Sequence, residues 1–214
     1  MDELKELLSI LKKEKRVILI TGETFYLNQL FLMALISDFI KKYKKSKVVY
    51  FYCKGPLLSS FEFLNRMKGK TYVFQINNFD EQYCIVNVLL LLLNADYYKN
   101  YSILIVFDDF VSHYFVAPIS RHKTAGGTLL AEQLAILKIL SDRTTACVVI
   151  TSYLLSDKRP LLWKIFSKYI DTVVTIHENN GLINISLLNE NLTVMKSCSI
   201  ELDELVGSIE FENA

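Results

Sequence analysis

Val17-Ile-Leu-Ile-Thr21 runs directly into Gly22-Glu-Thr-Phe-Tyr-Leu-Asn-Gln29, and the reading of that junction decides the fold. The first five residues are apolar and mostly β-branched, with Arg16 before them and Gly22 after, as expected of a strand buried on both faces. A glycine that ends such a strand and opens a helix is where an α/β protein builds a phosphate cradle from backbone N–H groups. Set against G-x-x-x-x-G-K-[ST], the first glycine is Gly22, but Leu27 stands at the second glycine, Asn28 at the lysine and Gln29 at the hydroxyl. Leucine does not readily adopt positive φ and would crowd the phosphates. Asparagine carries no charge to offset them, and glutamine is a poor substitute for a magnesium-binding hydroxyl. The junction predicts a phosphate-loop shape with a weakened grip.

Outward from it, strands and helices alternate. Apolar runs predict strands at Val48–Tyr52, Thr71–Gln75, Ile103–Phe107, Ala146–Thr151 and Thr172–Ile176. Helical periodicity falls at Leu27–Tyr43, Ser60–Met67, Asp80–Asn94 and Thr128–Leu140. This alternation predicts an α/β fold with a mostly parallel twisted sheet flanked by helices. A turn at Glu178-Asn-Asn-Gly181 and the alternating runs Leu182–Leu188 and Thr193–Ile200 predict a C-terminal antiparallel hairpin. Asp108–Gly126 and the basic stretch Ser156–Lys168 lack periodicity and read as loops. Leu4, Leu7, Leu8 and Leu11 recur at helical spacing among Glu and Lys. Residues 1–14 therefore read as an amphipathic helix ahead of a core domain over 15–214, its stripe meeting either a partner or the core.

The 214 residues, 51% of them hydrophobic, suffice for one sizeable core. With 24 Lys plus Arg against 23 Asp plus Glu, the net charge of +1 excludes recruitment by bulk electrostatics, so any nucleic-acid contact must be local. Cys53, Cys84, Cys147 and Cys198 form no close pair of the zinc or redox type and read as thiols in a reducing compartment. His113, His122 and His177 have no metal-ligand spacing, so no metal is expected. The charged N-terminus shows no secretory pattern, which makes the sequons at Asn184 and Asn191 chance matches. The apolar run Val86–Leu93 is far shorter than the roughly 20 residues of a membrane span.

The strand Ile103–Phe107 ends in Asp108-Asp109, as in a Walker B motif, although a strand-terminal Asp also commonly caps a turn. Around it, Tyr50-Phe-Tyr-Cys-Lys-Gly55, Ile76-Asn-Asn-Phe79, Gly126-Gly-Thr-Leu-Leu-Ala-Glu-Gln133, Val148-Val-Ile-Thr151 and the terminal hairpin follow in order. In that order, over roughly residues 15 to 210, the chain resembles the ATPase core of the RecA-type recombinases, in particular their eukaryotic paralogues. It is similar to the small subunits of Shu-type recombination-mediator complexes. The resemblance implies a RecA-like core in which the family's catalytic glutamate falls at Lys54, hence a pseudo-ATPase with no catalytic residue and no cofactor.

In that family the loops after the Walker B strand and after the next strand face DNA. Their counterparts carry Arg121, His122 and Lys123, then Lys158, Arg159, Trp163, Lys164 and Lys168. Cations interleaved with an aromatic suit backbone tracking and base stacking, although solvated loop charges and a core-packed Trp163 fit the same residues. The implied partners are other recombinase paralogues or a SWIM-type mediator subunit, the RecA-type recombinase, and single-stranded or forked DNA, with no membrane. The stripe Leu4, Leu7, Leu8 and Leu11 and the aromatics Phe61, Phe63, Tyr97 and Tyr98 are the candidate contacts. The implied role is a nuclear, non-catalytic mediator subunit in homologous recombination and DNA repair. The alternatives are a scaffold subunit of an Elongator-type tRNA-modification subcomplex, and a weak ATPase.

Overall fold

Burial on both faces makes the first strand the centre of the molecule: β1 (Val17–Gly22) is buried at all six positions. The structure, a computed structural model, describes residues 2–11, 16–53, 58–67, 69–93, 100–117, 123–155 and 160–209, with the side chains of 2, 58–61 and 123–125 outside that description. Around β1 the chain runs α1 (Asp2–Leu11), α2 (Phe25–Lys42), β2 (Ser46–Tyr52), α3 (Leu58–Arg66), β3 (Thr71–Gln75), α4 (Phe79–Leu93) and β4 (Ser102–Asp108). It continues through α5 (Ser112–Val116), α6 (Lys123–Arg143), β5 (Ala146–Tyr153), α7 (Trp163–Phe166), β6 (Thr172–Asn179), β7 (Leu182–Leu188), β8 (Val194–Glu201) and α8 (Leu202–Ser208).

The strands form an eight-stranded sheet in the order β3-β2-β4-β5-β1-β6-β7-β8. The first six are parallel, and β7 and β8 add antiparallel. The sheet predicted from the alternation is thus the observed one. Asn180 and Gly181 both take positive φ, 53° and 77°, at the β6–β7 turn, where a two-residue hairpin requires it. Helices cover both faces, and each face has its own apolar cluster.

Two stretches read as loops contain helices. Residues 108–126 hold α5 and the start of α6, so Gly126-Gly127 lies inside a helix and does not end a loop. A Cβ on Gly127 would meet Ile165 Cδ1, in the stretch that holds α7, at 3.7 Å, an ordinary van der Waals contact, so the helix runs through its glycines and packs there. That stretch, Ser156–Lys168, is therefore not wholly irregular. α8 did carry a signal, Leu202, Leu205, Val206 and Ile209 at i, i+3, i+4 and i+7, and it buries Leu205 and Ile209.

The leucine stripe turns inward. Leu4, Leu7, Leu8 and Leu11 are at most 2% exposed, within the cluster that holds Ile183, Ile185, Leu187, Cys198 and Ile200. The inward row of the β7–β8 hairpin needs a cover, and α1 lies against β8, tied there by the Lys196–Glu6 ion pair. As a surface for a partner the stripe is already occupied, and Phe63, 1% exposed, is core as well. The side chain of Phe61, with Tyr97 and Tyr98, lies outside the described residues.

Candidate functional site

Parallel register gathers the strand ends that matter. Gly22 pairs with Tyr153 and Tyr52 with Asp108, so β1, β2, β4 and β5 all finish at one end of the sheet. The crevice over carboxyl ends is where open α/β sheets bind ligands.

Only Glu23 and Thr24 separate β1 from α2. The helix starts two residues before Leu27, and Thr24 caps it: its hydroxyl accepts from the Leu27 N–H at 3.2 Å. One of the amide donors that a phosphate would use is thereby satisfied by the chain. Asn28, 2% exposed, donates from Nδ2 to the Ser152 carbonyl at 2.9 Å. A Cβ on Gly22 would stand 2.6 Å from Asn28 Oδ1. The glycine makes room for this amide.

Gln29 is fully buried and donates from Nε2 to Asp108 Oδ2. The same oxygen accepts from the Tyr50 hydroxyl at 2.7 Å, while Asp108 Oδ1 accepts from Thr151 Oγ1 at 2.7 Å. Burial pushes the Asp108 carboxyl above the usual carboxylate range, and hydrogen bonds from Tyr50, Thr151 and Gln29 pull it partway back. Burial, then the Asp108 charge, drives the Tyr50 hydroxyl well above its ordinary value. Asp109 follows with φ of 59°, and its N–H donates to Thr151 Oγ1 at 2.7 Å. Its carboxylate accepts from the Tyr153 hydroxyl at 3.1 Å, a phenol raised by burial and by that carboxylate. At the mouth, Glu23 Oε1 is 3.1 Å from His177 Nδ1.

Asn28, Gln29 and Asp108 were legible as site residues, but Tyr50, Thr151 and Ser152 were not. Their signal was a polar group in an otherwise apolar strand, Tyr50 in β2 and Thr151-Ser152 in β5. Lys54 lies outside the described residues, as do Arg121, His122, Lys158, Arg159 and the Lys123 side chain. Lys164 and Lys168 are exposed. Trp163 is only half-buried, but it packs against the core cluster beneath it, so its ring is not a freely presented stacking platform. The approach of Gly127 to Ile165 sets the start of α6 beside α7, the helix that carries Trp163 and Lys164. Among the described residues no group of three His, Cys, Asp or Glu is placed to hold a metal, and no helix is long and apolar enough to cross a membrane.

No protein-family model matches the sequence, and no curated protein matches it. Among solved structures, the crystal structure of the RadB recombinase is similar to this chain, with a TM-score of 0.63 at 14% identity over 87% of each chain. The fold is RecA-type. A RecA-type fold implies a nucleoside triphosphate with magnesium in the crevice just described, and the residues here do not fit that group. The Walker lysine and hydroxyl positions are an amide bonded to a backbone carbonyl and an amide bonded to the Walker B-like aspartate. A triphosphate would face the Glu23 and Asp108 carboxylates with neither the lysine nor the hydroxyl of the motif to offset them.

Proposed function

We propose that this chain is a RecA-fold adaptor that does not turn over nucleotide. In this reading it is a nuclear subunit of a heteromeric mediator, with recombinase paralogues or a SWIM-type subunit as partners. It binds DNA and assists assembly of the recombinase filament in recombination and repair. The observation that carries the reading is the commitment of Asn28 and Gln29 to Ser152 and Asp108, which leaves neither side chain to a phosphate. Restoring a grip requires breaking buried hydrogen bonds, each worth roughly 1–3 kcal/mol when its partner is left unpaired. Lys54, at the position of the family's glutamate, has no carboxylate to orient a water.

Titration with a fluorescent ATP analogue and magnesium, alongside phosphate release, tests this. The expected result is no saturable binding and no turnover. Turnover abolished by Asp108→Ala would restore the weak-ATPase reading. For the DNA part, alanine at Arg121, Lys123, Lys158 and Arg159 should weaken single-strand binding and flatten its salt dependence. An unchanged slope removes those loops from the interface. The packing of Trp163 against the core favours a second reading, a scaffold subunit of an Elongator-type subcomplex that does not stack bases. Co-purification separates them, because Elongator subunits without a recombinase would replace the mediator.

A further inference from the structure

The near-neutral chain gathers its cations in one place. Residues 41 to 70 hold nine Lys and Arg against a single acid, Glu62. Lys54 and Lys68 lie outside the described residues, and the other seven stand at the amino-terminal ends of β2, β3 and β4, away from the crevice. Lys41 and Lys42 close α2, Lys44 and Lys45 form the turn into β2, and Lys47 lies in that strand. Arg66 ends α3, and Lys70 leads into β3. All of these but Lys47 are exposed.

The backbone fixes this arrangement. The Lys45 carbonyl accepts from the Ser102 N–H at 2.9 Å and the Lys70 carbonyl from the Val48 N–H at 2.8 Å, which joins the three strand entrances. Lys47 Nζ donates to the Gly69 carbonyl at 2.8 Å and to the Tyr72 hydroxyl at 3.1 Å. Gly69, with φ of 93°, makes the turn that presents Lys70. The carbonyl end of α2 accounts for Lys41 and Lys42, whose charges suit the helix dipole. It does not account for Lys44, Lys45 and Lys70, which stand outside any helix and meet no carboxylate among the described residues. Cations gathered in one patch repel one another, and an external polyanion relieves that repulsion.

The side-chain chemistry selects the polyanion. Six of the seven are lysines, point charges on flexible stems that follow a phosphate backbone without registry, and the planar arginine fork that pairs with carboxylates occurs once. The rings beside them are not open stacking platforms: Lys42 lies 5.0 Å over Tyr43 and Lys47 5.1 Å over Tyr72. That disfavours a single strand held by its bases and favours a duplex, which carries one charge per roughly 1.7 Å of axis. The neighbouring apolar trough of about 490 Å³ between β3 and α4, which Lys47 and Cys84 also line, is walled by Phe51, Phe74 and Leu92 and is no seat for a phosphate. We propose that this lysine corner binds the phosphate backbone of a nucleic-acid duplex irrespective of sequence. It goes beyond the loop contact to single strands and lies at the other end of the sheet, so either can fail without the other.

Fluorescence anisotropy of the full chain with labelled duplexes, across a salt series, tests it. Duplex DNA and duplex RNA of equal length are the probes, and the tighter of the two names the source of the backbone. Alanine at Lys44, Lys45 and Lys70 together should weaken duplex binding on the order of tenfold and lower the log–log salt slope by about 0.9 for each lysine that meets a phosphate. Arginine at the same three positions should keep both, because charge alone is read. With Arg121, Lys123, Lys158 and Arg159 already alanine, the share of the slope due to the corner should remain, and a duplex should bind more tightly than a single strand of equal length. A wild type that binds no duplex overturns the proposal, as does a folded triple-alanine chain with affinity and slope unchanged, or an arginine variant as weak as the alanine one. Polyglutamate of equal charge binding more tightly than the duplex also overturns it and assigns the corner to an acidic protein segment. Loss of all duplex binding in the loop variant alone sinks the corner and leaves the loop reading in place.

Discussion

The carboxyl ends of β1, β4 and β5 and the outer margin at β3 belong to one sheet and present opposite surfaces. In the centre, Gln29, Tyr50 and Thr151 are polar, buried and bonded to Asp108, and buried Asn28 donates to the Ser152 carbonyl. At the margin, Tyr72, Phe74, Val88 and Leu92 are apolar and between 46% and 51% exposed. Each place reverses the usual preference of its side chains for water. The polar centre persists because hydrogen bonds within the chain replace those lost to solvent. The apolar groups of the margin gain no such bonds, and these side chains keep about half their surface in water. The difference teaches that one RecA-type sheet can bury polar groups at its centre and expose apolar ones at its edge.

The contrast breaks first if the centre tolerates substitution. Asp108→Ala strips the acceptor from three buried donors, and urea unfolding should show a loss of about 3–5 kcal/mol, each donor counting roughly 1–3. A near-neutral result would mean that the network is not formed. Leu7→Ala should cost about 3 kcal/mol, as for a fully buried leucine. A cost near zero in the same experiment would return the α1 stripe to the surface. Tyr50→Phe should cost about 1–2 kcal/mol, because it removes one donor and keeps the ring.

Acidity sharpens the same comparison. Burial raises the Asp108 carboxyl in the folded state above its unfolded value, so the folded state holds that proton more tightly. Its contribution is full below the unfolded value and is lost as pH rises through the folded one. Unfolding midpoints at closely spaced pH should therefore show a wild-type decline just above the usual carboxylate range that Asp108→Asn lacks.

The smallest expected effect is at the margin, where Leu91→Ser on the exposed side of α4 should change stability by no more than about 0.5 kcal/mol. Thiol reactivity marks the same divide. Cys84 is exposed in the trough and should react with a colorimetric disulfide reagent at once. Buried Cys53, Cys147 and Cys198 should wait for unfolding, Cys147 also because burial pushes its thiol up to about 12.

Which of these features the residues announce in linear order follows from their range. Continuous β-branched runs such as Val17–Thr21 and Val148–Thr151 report their own burial, and the alternation with helices implies a parallel sheet wherever it occurs. That Asn28 and Gln29 stand where a phosphate-loop pattern would place a lysine and a hydroxyl is equally plain, because it concerns what is present at a spacing. What those amides do instead was not legible: Asn28 finds Ser152 at a separation of 124 residues and Gln29 finds Asp108 at 79. A hydrogen bond depends on angstroms between strands, and strand order is a property of the whole sheet.

The same division explains the misread places. Gly126-Gly127 suggests a loop, but both glycines lie inside α6, with Ile165 packed beside Gly127. The α1 stripe is apolar in any reading, but only the bare inward row of β7 and β8 decides that it faces home. Composition and periodicity are local and set which elements form. Pairing, burial and the trough beside β3 arise between elements distant in the chain, so packing alone settles them.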